Sequence, residues 1–191
     1  MKKETLLVGA VALVAGLIIG LLISQKSNQT VTKSSSGAPV TQAPLVNAQN
    51  QINEIKGILA NDPSNRQAWV KLGHLYFDNN QPINAIDAYE KALELNPNDP
   101  DVLTDQGVMF RRMGTYERAI KNFIKANEID PDHEISLFNL GIVYRYDLKD
   151  FEKAQAAWTK YLEVNPNGAG SERVRQELEF LQTHPAIPQN Q

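Results

Sequence analysis

The sequence contains no cysteine and only three histidines among its 191 residues. A chain without cysteine forms no disulfide, thiolate zinc site, cysteine nucleophile or cysteine-linked haem, and it carries no lipidated N-terminal cysteine. The three histidines lack the spacing of zinc-binding helices, and the sequence has neither a glycine-rich phosphate loop nor a Gly-x-Ser-x-Gly elbow. We therefore expect no metal, no cofactor and no enzyme activity.

An excess of positive charge is also lacking, since the formal net charge is -3. Residues 1–46 hold four of the 19 basic side chains and one of the 22 acidic ones, so the rest of the chain is more acidic than the whole. Nucleic acids bind basic surfaces, and we expect no nucleic-acid partner. The apolar content of 42% is ordinary for a folding chain, and the length fits one domain with appendages.

One long apolar run lies near the N-terminus. Leu6 to Ile23 is a stretch of 18 apolar residues without a charge, and a helix of about 20 such residues spans a bilayer. A cleaved signal peptide is the alternative, but it would have a shorter run and a small-x-small cleavage site, which Leu22-Ile23-Ser24 does not provide. Residues 1–24 are therefore predicted to be a transmembrane signal anchor that enters the inner membrane through residues 5–24.

The orientation of this anchor follows from its very short N-terminal tail, because the lysines on its two sides nearly balance. The tail is predicted to lie inside, which puts the rest of the chain outside the cytoplasmic membrane, in the periplasm of a bacterium. Gly16 and Gly20 share one helix face and could bring two anchors into contact, although glycine is also simply common in membrane helices.

Residues 25–46 are rich in Ser, Thr, Gln and Asn, with few large apolar side chains. Such a composition buries too little apolar surface to fold, so these residues are predicted to form a flexible linker.

A pattern of a bulky residue, a glycine and an aromatic residue recurs every 34 residues from Trp69 onwards. A period of this length is typical of stacked helical pairs. The three occurrences are Trp69, Leu72, Gly73, Tyr76; Leu103, Gln106, Gly107, Phe110; and Leu137, Leu140, Gly141, Tyr144. The positions that follow them are Ala85, Tyr89, Ala92, Pro97; Ala119, Phe123, Ala126, Pro131; and Ala154, Trp158, Tyr161, Pro166.

These residues resemble the tetratricopeptide repeat (TPR) family, and the N-terminal anchor makes the chain similar to the membrane-anchored bacterial TPR proteins of cytochrome c biogenesis. The resemblance implies an all-α, helix-turn-helix repeat solenoid of three TPR units plus flanking helices. Departures from the family pattern are Gln106, Tyr161 and one extra residue around Asp147–Asp150. The predicted division is a TPR domain at 47–183, repeats at about 66–99, 100–133 and 134–168, flanking helices at about 47–61 and 171–183, and a disordered tail at 184–191.

In this family the partner lies in a concave groove built from first-helix side chains that turn away from the second helix. The three arginines of the groove suggest an acidic group or a C-terminal carboxylate on the partner, and the apolar positions suggest apolar anchors. The alternative is that Arg112 and Lys71 are merely solvated and that Phe138 packs on a neighbouring helix. The predicted peptide-binding residues are Val70, His74, Phe77, Thr104, Val108, Arg111, Arg112, Phe138, Asn139, Ile142, Arg145 and Tyr146.

The resemblance therefore implies a membrane-anchored, non-catalytic scaffold that binds a peptide or protein partner. By analogy its role is the assembly of envelope complexes, such as those of cytochrome c maturation. Two alternatives remain open, which are a periplasmic chaperone or translocon accessory and a self-assembling structural protein.

Overall fold

The computed structural model describes residues 44–184. The predicted anchor at 1–24, its Gly16 and Gly20 contact, most of the predicted linker and the tail after His184 lie outside the described residues. Between residues 44 and 184 no helix is both long and apolar enough to cross a membrane.

All regular secondary structure in the described part of the chain is helical, and the predicted all-α TPR solenoid is confirmed there. The elements are α1 (Pro44–Asn61), α2 (Arg66–Asp78), α3 (Pro82–Leu95), α4 (Pro100–Arg112), α5 (Tyr116–Ile129), α6 (Glu134–Ile142), the π-helical segment (Val143–Leu148), α7 (Phe151–Val164) and α8 (Ser171–Thr183). Unit 1 is formed by α2 and α3, unit 2 by α4 and α5, and unit 3 by α6, the π-helical segment and α7.

The helices begin at residues that satisfy their free N–H groups. Asn65 and Asp99 precede α2 and α4, and each side chain accepts a hydrogen bond of 3.0 Å from the backbone three residues later. Pro82 and Pro100 are the first residues of α3 and α4, where the missing N–H of proline costs least. The short turn between Asp78 and Pro82 folds unit 1 into a hairpin, whereas Asn65 and Asp99 mark the starts of units 1 and 2.

Each hairpin is closed by an aromatic ring of the second helix lying on a glycine of the first. Tyr89, Phe123 and Trp158 are buried, and a methyl group added to the partner glycine would overlap each ring. The partners are Gly73, Gly107 and Gly141, in the same order. These rings therefore fill the space between the two helices of a unit.

The extra residue of unit 3 is absorbed by the π-helical segment. A π-helical turn holds one residue more than an α-helical turn, so the insertion widens the end of the first helix instead of forming a longer loop. Asp150 donates its N–H to the carbonyl of Tyr144 at 2.8 Å, and Lys149 reverses the chain with a φ of 58°. The insertion thus changes which side chains reach the neighbouring unit.

The last helix, α8, packs on unit 3. Val174 and Leu181 of α8 are buried in one cluster with Leu137, Trp158 and Tyr161. Terminal units of a solenoid have no further neighbour, and a helix that covers the last apolar surface takes its place.

Candidate functional site: the inner face of the first helices

The first helices of successive units lie side by side and are joined by polar contacts. Nε2 of His74 on α2 is 3.1 Å from Oδ2 of Asp105 on α4. Arg112 of α4 donates through Nη1 to the carbonyl oxygen of Phe77 on α2 at 3.4 Å. The predicted positions of α2 and α4 are therefore neighbours, and we call the surface of the three first helices that carries the predicted residues the inner face.

Not all of the predicted residues reach the surface of the inner face. Thr104 is 2% exposed and Ile142 is 8% exposed, so both are packing residues and not contacts for a partner. Val70 and Val108 stand at the same register positions and are partly exposed. Accessible or partly accessible side chains are Val70, His74, Phe77, Val108, Arg111, Arg112, Phe138, Asn139, Arg145 and Tyr146.

Two of the three arginines already have carboxylate partners within the chain. Arg111 pairs through Nε with Oδ2 of Asp147 at 2.5 Å and through Nη2 with Oδ1 at 3.3 Å, in a bidentate arrangement. Asp147 belongs to the π-helical segment, so the insertion of unit 3 supplies this carboxylate. The expected positive cluster is therefore partly neutralised by the chain itself.

Arg145 is held between the π-helical segment and α8. Its Nε lies 3.6 Å from Oε2 of Glu177, and its guanidinium carbon lies 5.4, 4.9 and 5.0 Å from the ring centres of Tyr146, Phe151 and Phe180. Cation–π contacts of this kind occur within about 6 Å. Arg145 therefore joins the last helix to unit 3 and is not free for a partner's carboxylate.

Arg112 differs from the other two, because it has no ion pair among the described residues. Its guanidinium lies 4.5 Å from the ring centre of Phe77 and is exposed. It is the arginine of the inner face that a partner can reach most directly.

The contact between units 1 and 2 is titratable. The hydrogen bond to Asp105 raises the pKa of His74, burial opposes this rise, and the charges of Asp105, Asp78 and Asp101 add to it. Tyr89 lies beneath, with its ring 5.7 Å from the His74 ring in an edge-on arrangement, and burial raises the pKa of its hydroxyl. The Tyr89 hydroxyl has no hydrogen-bond partner among the described residues.

The sequence analysis missed an apolar pocket at the unit 3 end of the inner face. A pocket of about 190 Å³ is lined by Glu134, Ile135, Phe138, Tyr161 and Gly170. Only Phe138 of these residues was predicted as a groove residue. The signal for the pocket was present in the register, because the positions of Ile135 in units 1 and 2 are Gln67 and Asp101.

The described residues offer no chemistry of a metal site, since no group of three or more His, Asp or Glu side chains is placed to hold an ion in the range 44–184. The accessible groups of the inner face are hydrogen-bonding, charged and apolar side chains, which suit recognition of another chain.

The repeat region matches a known protein family. The family described as "Cytochrome c-type biogenesis protein H TPR domain" matches residues 54–170, which is more than half of the chain. The chain belongs to this family, and the resemblance to TPR proteins of cytochrome c biogenesis is thereby confirmed.

The matches to individual relatives cover only part of each chain. The chain is 37% identical over 82 residues to human Protein O-mannosyl-transferase TMTC3, a match that covers 42% of this chain and 9% of that protein. It is 31% identical over 100 residues to Photosystem I assembly protein Ycf3 of Synechococcus sp. (strain CC9605), covering 44% of this chain and 58% of that one. The chain thus spans less than two thirds of the length of these relatives.

Among solved structures, the crystal structure of MamA superposes with a TM-score of 0.67 at 21% sequence identity, covering 78% of this chain and 85% of that chain. At this identity the likeness shows a shared fold.

Proposed function

We propose that the protein is a membrane-anchored TPR scaffold that binds a peptide or protein partner on its inner face during the assembly of envelope complexes, such as those of cytochrome c maturation. The observation that carries the proposal is the family match over residues 54–170, which spans nearly all of the three units. The name of that family refers to cytochrome c biogenesis, and the relative Ycf3 is named as an assembly protein.

The inner face supports a binding role because several of its side chains remain accessible in the folded protein. Leu72, Leu103 and Leu137 of the repeat pattern are at most 3% exposed, whereas Val70, Val108 and Phe138 are partly exposed on the inner face. Partly exposed apolar side chains in a row that polar side chains border fit an extended or helical segment of another chain.

The membrane anchor and the periplasmic location are parts of the same proposal and rest on the apolar run in the sequence, Leu6 to Ile23. Protease added to intact cells after the outer membrane has been opened should degrade the TPR domain. Protection of that domain until the inner membrane is lysed would contradict the location and leave the binding role standing.

The binding role is tested by crosslinking the full-length chain in membranes and purifying its complexes. One stoichiometric partner is the expected result. A broad set of unfolded clients would indicate the chaperone alternative, and recovery of the chain alone would indicate self-assembly.

A matched pair of charge reversals shows whether the inner face makes the contact. Arg112→Glu changes an exposed cation of the inner face that has no described ion pair, so partner recovery should fall. Lys121→Glu makes the same change on the exposed side of a second helix, α5, and should leave recovery unchanged. Equal recovery with both variants would place the partner elsewhere on the molecule.

A further inference from the structure

Unit 3 departs from the other units at two register positions of the inner face. The residue two positions before the start of the repeat pattern (Trp69 in unit 1) is Gln67 in unit 1, Asp101 in unit 2 and Ile135 in unit 3. Ile135 is 52% exposed. Phe138, three residues later, is partly exposed as well, so the inner face becomes apolar at this end.

These two side chains form part of the pocket described above, which we call the unit-3 pocket (Glu134, Ile135, Phe138, Tyr161 and Gly170). Its volume of about 190 Å³ is several times the roughly 30 Å³ that one water occupies in the liquid. The rings of Phe138 and Tyr161 lie 5.7 Å apart at an angle of 56° and form its walls. The pocket therefore has the size and the lining for one aliphatic side chain.

Two departures from the repeat pattern create the pocket. Tyr161 replaces the alanine found as Ala92 and Ala126 in units 1 and 2, and it brings a ring to this site. Gly170 leaves the remaining wall open, because a Cβ there would lie 2.7 Å from the Tyr161 hydroxyl and 3.5 Å from the Phe138 ring. A side chain at residue 170 would occupy the space that the glycine leaves.

The charges around the pocket do not select a charged occupant. Glu134 at its rim accepts a hydrogen bond from Nδ2 of Asn165. Arg173 lies with its guanidinium carbon 5.8 Å from the Phe138 ring centre on the α8 side. One carboxylate and one guanidinium leave the rim without net charge. Arg145 of the predicted positive cluster is paired with Glu177.

We propose that the unit-3 pocket binds one aliphatic side chain (Leu, Ile, Val or Met) of an extended partner segment whose neighbouring residues are uncharged. This inference rests on the proposed function, since it assigns the chemistry of the partner on the inner face. Apolar pockets for single side chains supply much of the affinity and register in peptide recognition. The partner is thus selected by shape and apolarity instead of by a carboxylate.

The chain's own C-terminal residues do not fit as the occupant. The 13-residue helix α8 runs from the pocket at Gly170 to His184, and at 1.5 Å per residue that distance is about 20 Å. Ile187 is three residues beyond His184, and three extended residues reach about 10 Å. Ile187 therefore falls short of the pocket.

The test uses the full-length chain in lipid nanodiscs and a random dodecapeptide library displayed on phage. We expect the selected peptides to share one aliphatic residue, with few acidic residues around it. The best peptide is then synthesised with capped ends, and its affinity is measured for the protein and its variants at low and high salt. Because the contact is apolar, added salt should change the affinity little.

Two variants change the pocket in different ways. Ile135→Gln installs the residue that unit 1 carries at this position, and Gly170→Ala adds a methyl group inside the pocket; each should weaken binding about tenfold or more. The control Ile83→Gln makes the same polar change at an isoleucine that is 61% exposed on a second helix, α3, and it should bind like the parent. Circular dichroism checks that all three fold.

The outcomes separate this inference from the proposed function. Peptides that are selected for an acidic residue, or that bind Ile135→Gln and Gly170→Ala as tightly as the parent, would overturn the pocket assignment while peptide binding stands. Failure of the parent to enrich any peptide would overturn both.

Discussion

The two sides of the first helices follow different rules. On the side toward the second helix, each unit repeats one contact, an aromatic ring on a glycine, and the pairs Gly73–Tyr89, Gly107–Phe123 and Gly141–Trp158 are equivalent. On the inner face, each junction is built differently, with a histidine and a carboxylate between units 1 and 2 and an arginine between unit 3 and α8. The fold therefore constrains the side toward the second helix, whereas the inner face can vary from unit to unit.

The largest effect is expected from Trp158→Ala. Trp158 is 1% exposed, and its Nε1 donates to the carbonyl of Phe138 at 3.2 Å. Removal of a buried tryptophan costs about 3–5 kcal/mol, so the free energy of unfolding should fall by that amount in chemical denaturation of the full chain. Trp69→Ala is the control, because Trp69 is only half-buried and should cost clearly less. Equal losses of unfolding free energy in the two variants would contradict the expectation that a ring packed on a glycine stabilises the fold more than a ring at the surface.

A smaller loss is expected from Gly141→Ala. The added methyl group overlaps the indole of Trp158, so the two helices of unit 3 must separate. Overpacking of this kind costs about 1–3 kcal/mol. Gly57→Ala in α1 is the matched control, because no atom lies within 4 Å of its added Cβ. Alanine is the better helix former by about 1 kcal/mol, so the melting temperature should fall for Gly141→Ala and rise for Gly57→Ala.

A substitution at a contact of the inner face should lower the stability of the protein less. Glu177→Gln removes the charge that faces Arg145 but keeps the shape of the side chain and its acceptor for Tyr146. Because both partners are partly shielded from water, we expect a loss of about 1 kcal/mol, together with weaker protection of α8 amides in hydrogen exchange. Glu172→Gln on the exposed side of α8 is the control. A loss as large as that of Trp158→Ala would show that the inner face belongs to the framework.

The contacts between the two helices of each unit were predictable from the sequence, because a glycine and a large ring can pack together in few ways. Glycine and a large ring at fixed spacing define the helical hairpins, and the period of 34 residues places them in one register. The two helices beyond the repeats follow from apolar periodicity alone. Spacing alone does not say which neighbouring helix a ring touches.

The inner face was harder to predict because contacts there depend on departures from the repeat. Asp147 neutralises Arg111 from a position 36 residues later, within the π-helical segment. Thr104 is buried although Val70 at the same register position is partly exposed, so burial depends on the neighbour and not on the position. The unit-3 pocket needs Tyr161 and Gly170, both outside the first helices. A repeat pattern carries no information on such contacts.

The smallest expected effect is a pH dependence from the His74 and Asp105 contact. The pKa of His74 is raised above its ordinary value of 6.5, chiefly by the hydrogen bond to Asp105. A raised pKa in the folded state means that the contact stabilises the fold fully below the unfolded pKa and loses this contribution as the pH rises through the folded pKa. The protein should therefore have a slightly higher melting temperature at about pH 6 than at about pH 8.

The variant His74→Gln isolates this effect, because it removes only this titratable side chain. The pH dependence of the parent minus that of His74→Gln should have the stated sign, and Asp105→Asn should remove most of the difference. Since the His74 side chain is half exposed, the shift in melting temperature should be small and should shrink in high salt. An NMR titration of the His74 ring gives the pKa directly. A value at or below 6.5 would show that burial and not the Asp105 hydrogen bond dominates at this junction, and the inner face would then lose its titratable contact.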